Sequence, residues 1–200
     1  MAPMNSTEGP RELAPAQRAT LIEVARQSIE HGLATGRPLA VTPSEYHRDL
    51  KAIRASFVTL NLHGRLRGCI GHLEAVQPLV VDVAENAFAA AFRDPRFAPL
   101  TASEWPEVEI HLSILTPPEP MRFSDEADLI RQIRPGEDGL ILQDGHNRGT
   151  FLPSVWESLP EPVEFLVHLK HKAGLAANHW SEHLKVYRYQ TESFGEHEVA

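Results

Sequence analysis

Two hundred residues with a hydrophobic fraction of 42% suffice for one sizeable domain or two small lobes around a shared core. A formal net charge of -8 argues against sequence-independent nucleic-acid binding, which needs a basic footprint, although Arg93 with Arg96 or Arg131 with Arg134 could form a local patch. No apolar run approaches the roughly 18 residues of a membrane span, so no membrane partner is expected, and the start MAPMNSTEGPREL lacks the basic and apolar regions of a secretory signal. With one cysteine an intramolecular disulfide is excluded and a reducing cytoplasmic location is expected.

Residues 1–13, rich in Pro, Ser, Gly and charge, read as a flexible lead-in to a single domain over 14–195. APAQRATLIEVARQSIEHGLATG then has helical periodicity, with Leu21, Val24, Ala25 and Ile29 on one face and Gly32 or Gly36 to end it. RPLAVTPSEYHRDL reads as loop. ASFVTLNLHGRLRGCIG reads as a hairpin whose parity is informative, because strand side chains alternate between faces. A two-residue turn at His63-Gly64 would pair Leu60 with Arg67 and mix the faces. A three-residue loop, Leu62-His63-Gly64, pairs Leu60 with Leu66 and Val58 with Gly68, and leaves Cys69 facing away from the core beside Arg67 and Thr59.

PLVVDVAENAFAAAFRD has a wide apolar face and reads as the most buried helix, ending before Pro95. TASEW resembles a short turn capped by Thr101 or Ser103. VEIHLSIL alternates as a strand and TPPEP stops it. SDEADLIRQI has a serine to cap it, early acids and a late arginine, and reads as a short helix. GLILQDGHNRGTFLP reads as a second hairpin around Asp144-Gly145. EPVEFLVHLKHKAGL reads as a helix ending at Gly174 with Lys170 and Lys172 in its last turns, and HLKVYRYQ as a final strand. Hairpins interleaved with helices favour α+β over a doubly wound parallel sheet.

LRGCIG (Leu66 to Gly71), FRDPRFAPLT, HLSIL, GTFLPSVWE and HKAGL together resemble the AMMECR-type domain family, whose prokaryotic members include AmmeMemoRadiSam system protein A. The resemblance runs from the first helix to the last strand. It implies two intimately joined lobes, with antiparallel sheets flanked by helices and a cleft near the cysteine. It also implies a pathway shared with Memo-like and radical-SAM proteins, but hands over no reaction. His72 and Asp138 depart from the family's usual residues, so a role at either belongs to this chain alone.

Cys69 is the leading candidate, as a nucleophile or substrate anchor. The thiolate is the reactive form, Arg67 stands one strand step away to stabilise an anion, and Gly68 and Gly71 would let a ligand approach the backbone. The competing readings are a ligand contact without chemistry and a buried packing thiol. A nucleophile needs a base, for which His72, His63 and His111 are nearest in sequence; a continuing strand would point His72 away from Cys69, and a bend at Gly71 would reverse that. Thr150 and Lys172 are candidates for lining the cleft, whereas Phe151, Leu152, Val155 and Trp156 read as corner packing. Lys172 also reads as a cation compensating a helix end. Arg93, Asp94 and Arg96 are expected to pair among themselves or with neighbours. Cys69 with His72, or His179 with His183 on a shared helical face, has ligand-like spacing. Neither completes a recognisable set, so neither a metal nor another cofactor is expected. Two functions follow: an enzyme or enzyme-system component working through Cys69, or a binding module recognising a partner protein through the same cleft.

Overall fold

A computed structural model describes residues 12–199 and divides them into two compact units, one running to Leu115 and resuming at Glu192, the other Thr116–Thr191. The flexible lead-in expected over residues 1–13 lies, before Glu12, outside the described residues. The first unit contains α1 (Pro15–Thr35), β1 (Ser56–Leu62), β2 (Arg65–Gly71), α2 (Leu79–Phe92) and β3 (Val108–Leu115). The second contains β4 (Glu119–Pro120), α3 (Glu126–Gln132), β5 (Gly139–Asp144), β6 (Asn147–Phe151), α4 (Pro162–Lys172) and β7 (Lys185–Tyr189). The chain then returns to the first unit as β8 (Thr191–Gly195) and α5 (Glu196–Val199). The fold is α+β, with two antiparallel four-stranded sheets ordered β2-β1-β3-β8 and β4-β7-β5-β6.

Helix α1 starts at Pro15, where a missing N–H costs nothing, and the Gln17 side chain accepts the Ala14 N–H at 2.8 Å. It stops at Gly36, whose φ of 71° suits glycine. Gly32 does not end the helix; it lies against the rings of Phe88 and Phe92, where a Cβ would not fit. Leu21, Val24, Ala25 and Ile29 are buried as their spacing requires. Helix α2 buries ten of its fourteen residues, and with α1 it covers the sheet face formed by Val58, Leu60, Ile110, Leu112 and Ile114.

The β1–β2 connection departs from the expected register. The turn has two residues, His63 and Gly64, both at positive φ (52° and 73°), as a tight hairpin turn matching strand twist requires. The predicted mixing of faces is avoided by a bulge: Leu60 pairs with Gly68 and Asn61 with Leu66, leaving Arg67 as the extra residue. Leu66 is therefore turned out, 43% exposed, instead of joining the core. Beyond the bulge parity is restored, and Cys69 pairs with Thr59 on the face away from Val58 and Leu60.

In the second unit α3 is capped by Asp125, not by the preceding serine: its carboxylate accepts the Asp128 N–H at 2.8 Å. The β5–β6 turn places Gly145 at φ 59°, and Gly174 (φ 81°) follows α4. Trp156 stacks on Phe165 at 3.8 Å within the core and donates its Nε1 to the Asp138 carbonyl, so the GTFLPSVWE apolar residues do pack a corner. Strand β8 was not anticipated; its five residues hold one buried apolar side chain, Phe194, too weak a pattern to read.

The β2–α2 contact is close. A Cβ on Gly68 would lie 2.1 Å from the Ala90 carbonyl oxygen, which the α2 backbone fixes. Gly68→Ala should cost about 3 kcal/mol, at the upper end for overpacking, read as a lower urea midpoint. An unchanged midpoint would show that β2 does not approach α2 this closely.

Candidate functional site

Strand β2 is at the edge of its sheet, so the outward backbone groups of Cys69 have no neighbouring strand to bond. They are bonded instead by the FRDPRF segment after α2. The Cys69 N–H donates to Asp94 Oδ2 at 2.9 Å, and Arg96 Nη2 donates to the Cys69 carbonyl at 3.3 Å. Asp94 is buried and gripped by Arg96, Nε to Oδ1 at 3.0 Å and Nη2 to Oδ2 at 2.7 Å. The Arg96 side-chain bonds hold the Asp94 carboxyl well below the usual range; burial opposes this, and the Cys69 N–H adds to it. The expected pairing of Asp94 with Arg96 is thus present, whereas Arg93 lies over the Phe88 ring.

The Cys69 side chain is half-buried, and Sγ receives a hydrogen bond from Thr59 Oγ1 at 3.2 Å. Thr59 also pairs with His111 of β3, placing Cys69, Thr59 and His111 in one row across three strands. His111, half-buried, lies against Gly195 of β8, where a Cβ would meet its ring at 2.6 Å. Arg67 is not free. Its Nε and Nη2 clasp Glu104 at 2.9 and 3.1 Å, while Nη1 is buried without a partner. The Arg67 bonds, with those from the Thr101 N–H and hydroxyl, lower Glu104 to about 2. Phe97 lies beneath both guanidinium groups, 5.9 Å from Arg67 and 5.5 Å from Arg96.

The other predicted residues are distributed as follows. His72 turns to the helix side, its Nδ1 3.9 Å from Asp82 Oδ1, and so is not a neighbour of the Thr59 face. Asp82 is buried and raised by that burial, against bonds from Ser56 and Gln77 that lower it. Gly68 and Gly71 are used for packing: Gly68 meets α2, and Gly71 lies against the Phe57 ring and the Ser56 carbonyl. His63 is exposed in its turn, 3.4 Å from Glu107. Thr150 and Lys172 belong to the second unit, where Thr150 Oγ1 donates to the Leu140 carbonyl and Lys172 lies over the Phe151 ring at 5.0 Å. Among the described residues no three His, Cys, Asp or Glu side chains are grouped to hold a metal ion. His179 and His183 share no helix; their segment is built of turns. Nor is any helix among the described residues long and apolar enough to cross a membrane.

Sequence reasoning missed the two carboxylates that organise this region. Asp94 and Glu104 stand 25 and 37 residues from the β2 residues they bind. The available signal was an arginine–aspartate alternation beside a proline, which suggested mutual pairing without naming the strand it serves.

The chain is thus an α+β protein of two four-stranded sheets, the first of which carries a half-buried thiol on an edge strand sealed by an arginine–aspartate pair. The AMMECR1 family model matches residues 22–194, and the chain belongs to this family. It is 37% identical over 201 residues to a protein of Methanothermobacter thermautotrophicus, covering 98% of this chain and 97% of that one. It is 38% identical over 179 residues to Protein MJ0810 of Methanocaldococcus jannaschii, covering 88% of each. The crystal structure of the uncharacterized protein PH0010 from Pyrococcus horikoshii superposes with a TM-score of 0.75 at 37% identity, over 89% of this chain and 90% of that one.

The lowered Glu104 carboxyl has a definite sign. A carboxylate depressed on folding contributes stability that is present above its unfolded value, here 4.5, and lost as pH falls through about 2. Acid unfolding followed by circular dichroism should therefore steepen across that window, and Glu104→Gln should flatten it. An unaltered acid limb in the variant would mean that Arg67 does not hold Glu104.

Proposed function

We propose that this AMMECR1-family chain works through Cys69, as the thiol that anchors a ligand or substrate on the face of the first sheet that carries Thr59. The observation that carries the reading is the double backbone bond to Cys69, from Asp94 and from Arg96. Edge strands ordinarily leave such groups to water; here they are fixed, which fixes the direction of the side chain, and a site that must position one atom needs such support. The partner of Sγ is the Thr59 hydroxyl, which donates to it; a base would instead accept the thiol proton, so the bond observed favours anchoring over base-assisted attack.

The enzyme reading, with Cys69 as nucleophile and Arg67 stabilising an anion, stands second. It is favoured by the buried, unpartnered Nη1 of Arg67, a donor with capacity to spare two residues along the strand. It requires Glu104 to share Arg67 with the substrate. His72 and the glycines then contribute through packing. In either reading the ligand comes from the system that the resemblance implies, with Memo-like and radical-SAM proteins as partners. Recognition of one of those proteins through the same face, without chemistry, is the module form of the proposal.

Disulfide exchange with a small panel of neutral, anionic and cationic aliphatic disulfides, followed by intact mass, tests the anchor directly. The folded chain should capture one charge class about tenfold over the others, a difference of about 1.4 kcal/mol, and lose that preference in urea. Cys69→Ser should capture nothing. Equal capture of all three classes by the folded chain, or none by the folded chain, would contradict the anchor role.

A further inference from the structure

In the second unit a buried lysine lies under a segment pinned by one histidine–aspartate bond. Lys170 of α4 has no exposed surface. Its Nζ donates to Glu126 Oε1 at 2.8 Å and to the Ala177 carbonyl at 3.1 Å, and the Trp180 ring is 5.9 Å away. This is not the helix-end cation that its position suggests. Burying an ammonium is costly unless its protons find acceptors, and one of the two acceptors here belongs to the chain that covers it.

That cover is the stretch between α4 and β7, made of turns closed by His179 N–H to the Ala176 carbonyl and Leu184 N–H to the Ser181 carbonyl. Trp180 meets Phe123 edge-on at 5.6 Å. The stretch is fastened at its centre by His179 Nε2 on Asp144 Oδ2, 2.6 Å apart, at the end of β5. The side chains are part-exposed, so solvent protons reach the pair.

We propose that residues 176–181 form a pH-sensitive flap over the Lys170 amine, latched by His179 on Asp144. Closed, the flap supplies the Ala177 carbonyl and the Trp180 ring to the ammonium; open, it presents the amine to water and to a reactant or partner. The latch is strongest while the imidazole is charged and the carboxylate ionised, because a bond between ions is about twice as strong as a neutral one. Asp144 is held below the usual carboxylate range by the His179 bond first and by Ser181 next, so its charge persists into acid. Loss of the imidazole proton, not of the Asp144 charge, is therefore the change that weakens the latch. His183 is the other charge bearing on Asp144. Across β5, β6 and β7 the neighbouring positions are Gln143, Asn147, Arg148 and Lys185, and the flap itself leads on to Glu182.

Acetylation by a water-soluble N-hydroxysuccinimide ester, read by peptide mass spectrometry as the Lys170 to Lys172 ratio, removes the common pH dependence of amines. The wild-type ratio should rise about fivefold between pH 6.5 and 8.5, matching the weakening of one charge-assisted bond. In His179→Gln it should be high and flat, and Asp144→Asn, which keeps the shape of the carboxylate, should behave alike. A wild-type ratio that stays flat, or a rise that survives both substitutions, would overturn the flap.

Discussion

The carboxylate of Asp94 on the edge of β2 is the contact from which the arrangement around Cys69 follows. An edge strand must bond its outward groups to something other than another strand, or it invites pairing with a second chain. Here one buried carboxylate takes the Cys69 N–H and the Arg96 guanidinium together, and Arg96 returns to the Cys69 carbonyl. The placement of Asp94 depends in turn on Gly68. Because glycine lets β2 approach the α2 backbone at Ala90, the chain leaving α2 four residues later is already beside the strand edge. Leu100 N–H bonding back to the Ala91 carbonyl then holds the loop in place.

Arg67 shows why charge near a thiol in sequence is a poor measure of charge near a thiol in space. It stands two residues from Cys69, yet its guanidinium is clasped by Glu104 from the turn before β3. What sets the thiol's surroundings is a hydroxyl from β1 and the row leading to His111. The second unit handles buried charge differently. Asp138 is satisfied by Arg134 at 2.9 Å and Arg188 at 3.5 Å. Lys170 relies on a side-chain carboxylate and a carbonyl in a turn.

Much of the fold was legible because periodicity reports burial. The wide apolar face of α2 and the alternation of Val108–Leu115 left little choice. The hairpin shows where such reasoning stops. Alternation identified the face that Cys69 occupies, but assumed an unbroken strand and so chose the wrong loop; a bulge at Arg67 reached the same face by another route. The candidate site was legible as Cys69 and, through strand parity, its neighbour Thr59. Asp94 and Glu104 act through contacts made across tens of residues, and partners at that separation leave no periodic trace. Strand parity would point His72 away from Cys69 and a bend at Gly71 would reverse that; the imidazole lies beside Asp82, a neighbour that was not foreseen.

The sealed edge can be tested at a single amide. Hydrogen exchange of the Cys69 N–H, followed by NMR in the wild type and in Asp94→Ala, measures the bond on which the account rests. An outward amide of an unsealed edge strand exchanges from the native state with little protection, whereas one bonded to a buried carboxylate opens only with its surroundings. The account predicts strong protection of Cys69 in the wild type and its loss in Asp94→Ala, with protection retained at Thr59 in the sheet interior. A Cys69 amide that exchanges freely in the wild type, or that stays equally protected without Asp94, would contradict it.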